Sequence, residues 1–79
     1  MATPIDPNTL LTRAAAAQAL TEAGYPTARA TLASLATRGG GPFFRHYGPR
    51  VLYCWADLIQ WAESRLGPLI RSTSEADAA

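Results

Sequence analysis

Apolar positions along the chain fall into two helical repeats, a pair of short alternating runs and a third helical repeat, in that order. Thr12 has the chemistry of an N-cap and precedes Arg13, four consecutive alanines, Gln18, Ala19 and Leu20. A helix is therefore expected to about Ala23, with Gly24 as its left-handed stop. Ala16, Ala19, Leu20 and Ala23 recur at i, i+3, i+4 and i+7, and their small size lets a second helix approach closely. Beyond Gly24-Tyr25-Pro26, Thr27 can cap a second helix running to about Thr37, with Ala28, Leu32, Leu35 and Ala36 on its inward stripe. The outward stripe, Arg29, Ala30, Ala33, Ser34 and Thr37 with Thr31 at its flank, is made of short side chains and one arginine.

Arg38-Gly39-Gly40-Gly41-Pro42 lacks both the GK[ST] ending and the strand-borne G-x-G-x-x-G spacing of phosphate loops. Its glycines read instead as a flexible exit from the second helix. Phe43-Phe44-Arg45-His46-Tyr47 and Arg50-Val51-Leu52-Tyr53 flank Gly48-Pro49 and predict a hairpin. If Tyr47 pairs with Arg50, alternation puts Phe44, His46, Val51 and Tyr53 on one face, expected to pack inward. The other face carries Phe43, Arg45, Tyr47, Arg50 and Leu52, with both arginines projecting outward near the tip. Pro49 is awkward at the second position of a two-residue turn, which leaves a register slipped by one residue open. Trp55, Leu58, Ile59, Ala62 and Leu66 then share a helical face with Trp61 at its edge. Asp57 sits in the first turn, where the helix dipole favours a carboxylate, and Gly67-Pro68 is the expected end. The resulting organisation is a flexible N-terminus over 1–9, one domain over 10–66 that is mainly α with a β-hairpin, and a disordered tail over 67–79.

Length agrees with one domain, because 79 residues leave little room for a second core or a deep substrate cleft. Cys54 is the only cysteine, so no intrachain disulfide or thiol-based zinc site can be assembled. No apolar run reaches the ~20 residues that span a bilayer, and Met1 to Leu11 lacks the build of a signal peptide, so a cytoplasmic protein is expected. The net charge of +1 points to no partner, but its distribution does. Between Thr27 and Cys54 lie Arg29, Arg38, Arg45 and Arg50 with no Asp or Glu, while every acidic residue falls outside that stretch.

A face of short residues with Arg, Ser and Thr suits a helix lying in a DNA major groove, where bulk would hold the helix off the base edges. The candidate contact residues are Arg29, Thr31, Ser34, Arg38, Arg45 and Arg50, with Thr27 in support and Arg13 reaching phosphate from the start of the first helix. His46 is the only histidine and has no partners for a metal site, so it is expected to pack in the hairpin or touch phosphate. Tyr53, Trp55 and Trp61 have the spacing of core residues rather than of base-stacking platforms. No paired carboxylates, nucleophile-base pair or metal cluster can be found, so an enzyme is not expected.

An ordered series of these features is similar to the excisionase-type winged helix-turn-helix family, related to the DNA-binding heads of MerR-type regulators. It runs Leu11-Thr12, Thr31-Leu32, Gly39-Gly40-Gly41-Pro42 with Phe44-Arg45, Gly48, Arg50-Val51-Leu52-Tyr53, and Asp57-Leu58 with Trp61. The resemblance covers about Leu10 to Leu66. It implies a recognition helix in the major groove, a hairpin wing over the adjacent backbone or minor groove, double-stranded DNA as partner and no cofactor. Members bend attachment-site DNA so that an integrase excises a mobile element, or act as small transcriptional regulators. The connection from Glu22 to Ala30 is longer than that family's usual turn, which leaves Arg29 as an alternative start for the second helix. A domain this small buries little surface on DNA, so cooperative head-to-tail loading of neighbouring copies is expected. An interaction module that does not touch DNA is the remaining alternative.

Overall fold

The computed structural model describes residues 6–71 and is mixed α/β, with three helices and a three-stranded antiparallel sheet. In chain order the elements are β1 (Leu10–Thr12), α1 (Arg13–Glu22), α2 (Arg29–Arg38), β2 (Arg45–Tyr47), β3 (Arg50–Cys54) and α3 (Trp55–Ser64). The outer parts of the expected end segments, 1–5 and 72–79, lie outside the described residues.

Thr12 caps α1 as its chemistry predicts, its Oγ1 accepting the Ala15 N–H at 3.2 Å. It is also the last residue of β1, a strand that extends the expected two-stranded hairpin to three. β1 pairs antiparallel with β3, Leu10 opposite Cys54, Leu11 opposite Tyr53 and Thr12 opposite Leu52, and β3 lies centrally between β1 and β2. Both β1 and β3 run without a loop into the following helix. Residues 6–9, read from sequence as part of a flexible end, are tied to the start of α3. The Trp55 and Ala56 N–H groups donate to the carbonyls of Thr9 and Pro7 at 2.9 and 2.8 Å, and the Cys54 thiol also donates to Pro7. These carbonyls satisfy donors that a helix start otherwise leaves orphaned, since Cys54 gives α3 no side-chain cap.

The core forms where α1 meets its neighbours. Ala16, Ala17, Ala19 and Leu20 are buried together with Leu32 of α2, Tyr53 of β3, and Trp55, Leu58 and Ala62 of α3. Three alanines on α1 let both other helices approach its backbone. Ala23, expected on that stripe, is instead the exposed C-cap residue, and Ala17 takes its part because α1 is covered on two sides. Gly24 adopts φ +104° as expected of the stop, and the Tyr25 N–H reaches back to the Leu20 carbonyl at 2.8 Å.

Two boundaries move. The second helix starts at Arg29 with Ala28 as its N-cap in place of Thr27, whose hydroxyl is directed back to the Tyr25 carbonyl, to which it donates at 2.8 Å. Thr27 and Thr21 further exchange backbone-to-hydroxyl bonds that brace the connection. The third helix ends at Ser64 with Arg65 as C-cap, before Gly67-Pro68, so Leu66 lies beyond it and is 64% exposed.

Candidate nucleic-acid interface

The hairpin has the register expected without a slip: Tyr47 pairs with Arg50, His46 with Val51 and Arg45 with Leu52, around a turn in which Gly48 takes φ +58°. On the inward face Tyr53 is buried, and Phe44 and Val51 are half-buried. His46, assigned to that face, is exposed, because β2 is an edge strand whose three residues all lie open to solvent. It meets Phe44 edge-on at 5.7 Å between ring centroids. Arg45 and Arg50 are both exposed on the outer face, as alternation predicts.

The outward stripe of α2 is open: Arg29, Ala30, Thr31, Ser34, Thr37 and Arg38 are exposed, and Ala33 is half-buried. Arg29 is the first residue of this helix. It borders a cleft of about 320 Å³ whose other walls are Thr12, Arg13 and Ala14 at the start of α1 and Pro49, Arg50 and Val51 at the hairpin. Three arginines from three elements thus line one depression. No carboxylate is among the lining residues. Arg13 is half-buried, and its Nε donates to the hydroxyl of Tyr53 at 3.2 Å.

The remaining predicted residues lie elsewhere. Arg38 ends α2, away from the cleft. Arg45 borders a separate depression of about 190 Å³ with Leu10, Phe43, Phe44, Leu52, Cys54 and Asp57. Thr27 is half-buried, with its hydroxyl engaged in the connection before α2. Thr31 and Ser34 stay on the open face of α2 beyond Arg29. Thr12 caps α1 and also lines the cleft, while Tyr53 lies in the core as expected and reaches the cleft only through its hydrogen bond with Arg13. The signal for Tyr53 lies only in the pairing of Leu11 with it, which carries the start of α1 across β3.

Among the described residues no group of three or more His, Cys, Asp or Glu side chains is arranged to hold a metal ion, and no helix is long and apolar enough to cross a membrane. The cleft offers guanidinium donors from three arginines, which suit an anion with several acceptor oxygens. Comparison with family models, curated proteins and solved structures finds no match to the chain.

Proposed function

We propose that this protein is a winged helix-turn-helix DNA-binding protein, with α1, the connection 23–28 and α2 as the helix-turn-helix and the β2–β3 hairpin as the wing. The observation that carries the reading is the convergence of Arg13, Arg29 and Arg50 on one carboxylate-free cleft between the start of α2 and the hairpin. A duplex laid along α2 meets small side chains over most of the helix, so its backbone can approach the major-groove edges. Thr31 and Ser34 supply contacts there, while Arg13, Arg29 and Arg50 together hold the phosphate backbone at the helix start.

Within this class we assign the chain to recombination directionality: copies load side by side on attachment-site DNA and bend it for an integrase. Phe43, Tyr47 and Leu10, exposed at 81%, 72% and 55% and absent from the cleft lining, offer apolar surface for contact between neighbouring copies. A transcriptional regulator using the same surface is the alternative role, with double-stranded DNA again the partner.

A gel-shift titration of the wild type and the Arg29→Ala/Arg50→Ala variant tests the reading. The probes are DNA from upstream of the chain's own gene and from a flanking attachment site, each at two salt concentrations. The expected result is a salt-sensitive shift that appears in steps and is lost in the variant, with more steps on attachment-site DNA. Equal stepping on the promoter fragment would favour regulation. Absence of any shift at low salt would sink the DNA reading and leave the exposed apolar residues as the mark of an interaction module.

A further inference from the structure

Tyr53 is among the largest fully buried side chains of the protein, at 1% exposure, within a core otherwise built of alanine, leucine and tryptophan. A phenol in such surroundings needs a partner for its hydroxyl, and Tyr53 has one: the Nε–H of Arg13, 40 residues away in sequence. A guanidinium carries five N–H groups, so this bond uses one and leaves those on the two terminal nitrogens. It also fixes the plane of a side chain that otherwise has several free rotations. Arg13 is the half-buried member of the three cleft arginines, whereas Arg29 and Arg50 are exposed.

Drawing three like charges around a depression with no acidic residue in its lining is unfavourable for the protein alone. The missing countercharge defines the ligand. We propose that the cleft is a discrete phosphate-binding site and that Tyr53 is its positioning residue, anchoring Arg13 through Nε so that the terminal nitrogens present a fixed fork to one phosphate group. The assignment of that phosphate to a nucleic-acid backbone rests on the DNA-binding reading above; the site itself rests on the cleft. Arg29 and Arg50 then complete the contact from α2 and the hairpin, so that a single phosphate reports the relative placement of three elements. Such a site sets the register of α2 on a duplex before any base is read.

Two measurements on the full chain test the proposal. In the first, duplex affinity is followed over a salt series for wild type, Tyr53→Phe, Arg13→Ala, Arg13→Lys and the Tyr53→Phe/Arg13→Ala pair. Removing Arg13 is expected to weaken binding roughly tenfold and to reduce the salt slope by at most about 0.9, the equivalent of one whole phosphate contact, since Arg29 and Arg50 still face that phosphate. Tyr53→Phe is expected to weaken binding by a smaller factor and to have no further effect once Arg13 is alanine. A merely structural role for Tyr53 predicts the opposite, a loss that persists in full in the Arg13→Ala background, and that result overturns the positioning role. Arg13→Lys, which keeps the charge without the fork, is expected to resemble Arg13→Ala more than wild type; wild-type binding by Arg13→Lys overturns the anchored fork, a result readable even should Tyr53→Phe not fold.

In the second, the arginine Nε–H resonances of wild type are followed by NMR during titration with inorganic phosphate, with a dinucleotide holding one phosphodiester, and with duplex DNA. Shifts confined to Arg13, Arg29 and Arg50 are expected with all three, strongest with duplex. A response to inorganic phosphate without one to duplex keeps the site but overturns the DNA reading. No response of these resonances to any of the three overturns the site.

Discussion

The indole Nε1 of Trp61 donates to the carbonyl of Gly40 at 2.9 Å, fastening α3 to the corner by which the chain leaves α2. Gly39 and Gly40 both take positive φ, +90° and +93°, so the glycine run is a shaped corner held by a hydrogen bond rather than the flexible exit its composition suggests. Replacing Trp61 by phenylalanine keeps most of the packing and removes the bond. A loss of about 1 kcal/mol is expected in urea denaturation with an unchanged m-value. DNA affinity should hold, since Trp61 is not among the residues lining the arginine cleft.

Gly41 is constrained by space. A Cβ there would come within 2.9 Å of the Leu35 Cβ, which is itself fixed in α2. Alanine at position 41 is expected to cost about 1–3 kcal/mol, because backbone or helix must shift to admit it. Gly67→Ala serves as the control: a Cβ at that position meets nothing within 4 Å, so thermal melting should be nearly unchanged.

How far these features could be read in advance depended on the range of the interaction behind them. The alanine run of α1 and the alternation around Gly48-Pro49 are local patterns that point to α1, its cap and a hairpin, while Pro49 leaves the register open until the pairing of Tyr47 with Arg50 settles it. Strand β1 is not visible in the sequence pattern because Leu10-Leu11-Thr12 is too short to alternate and exists by pairing with β3 forty or more positions later. Thr27 stands one residue before the actual cap, Ala28, and its hydroxyl is directed back to the Tyr25 carbonyl rather than forward to the helix N–H groups, an orientation that a cap-type residue before a helical repeat does not reveal. For the site, the basic stretch from Arg29 to Arg50 was legible as composition. Which of its arginines meet was not, since that depends on how β3 lies between β1 and β2.

Residues 6–9 supply acceptors to α3, and their removal is a further stability test. A chain beginning at Leu10 loses the Thr9 and Pro7 carbonyls that receive the Trp55 and Ala56 N–H groups. Trp55 is 8% exposed, so water replaces its lost partner poorly. The truncation is expected to cost about 1–2 kcal/mol, observed as a fall in Tm of roughly 4–16 °C for a domain of this size. A melting curve matching the full chain would show that these bonds contribute nothing to the stability of α3.

Arg45 and Arg50 offer the sharpest comparison, because sequence alternation treats them alike: both point outward from the hairpin, and both are exposed. Their surroundings differ. Arg50 borders the carboxylate-free cleft with Arg13 and Arg29, while Arg45 borders a depression that also holds Asp57 and the apolar Leu10, Phe43 and Leu52. A phosphate drawn to the first meets three guanidinium groups; one approaching the second meets a carboxylate as well, which offsets part of the attraction. Arg50→Ala should therefore reduce the salt slope of duplex binding by up to about 0.9 and weaken binding roughly tenfold, while Arg45→Ala should change both by clearly less. Equal losses in the two variants would mean that charge on the hairpin matters and the cleft does not.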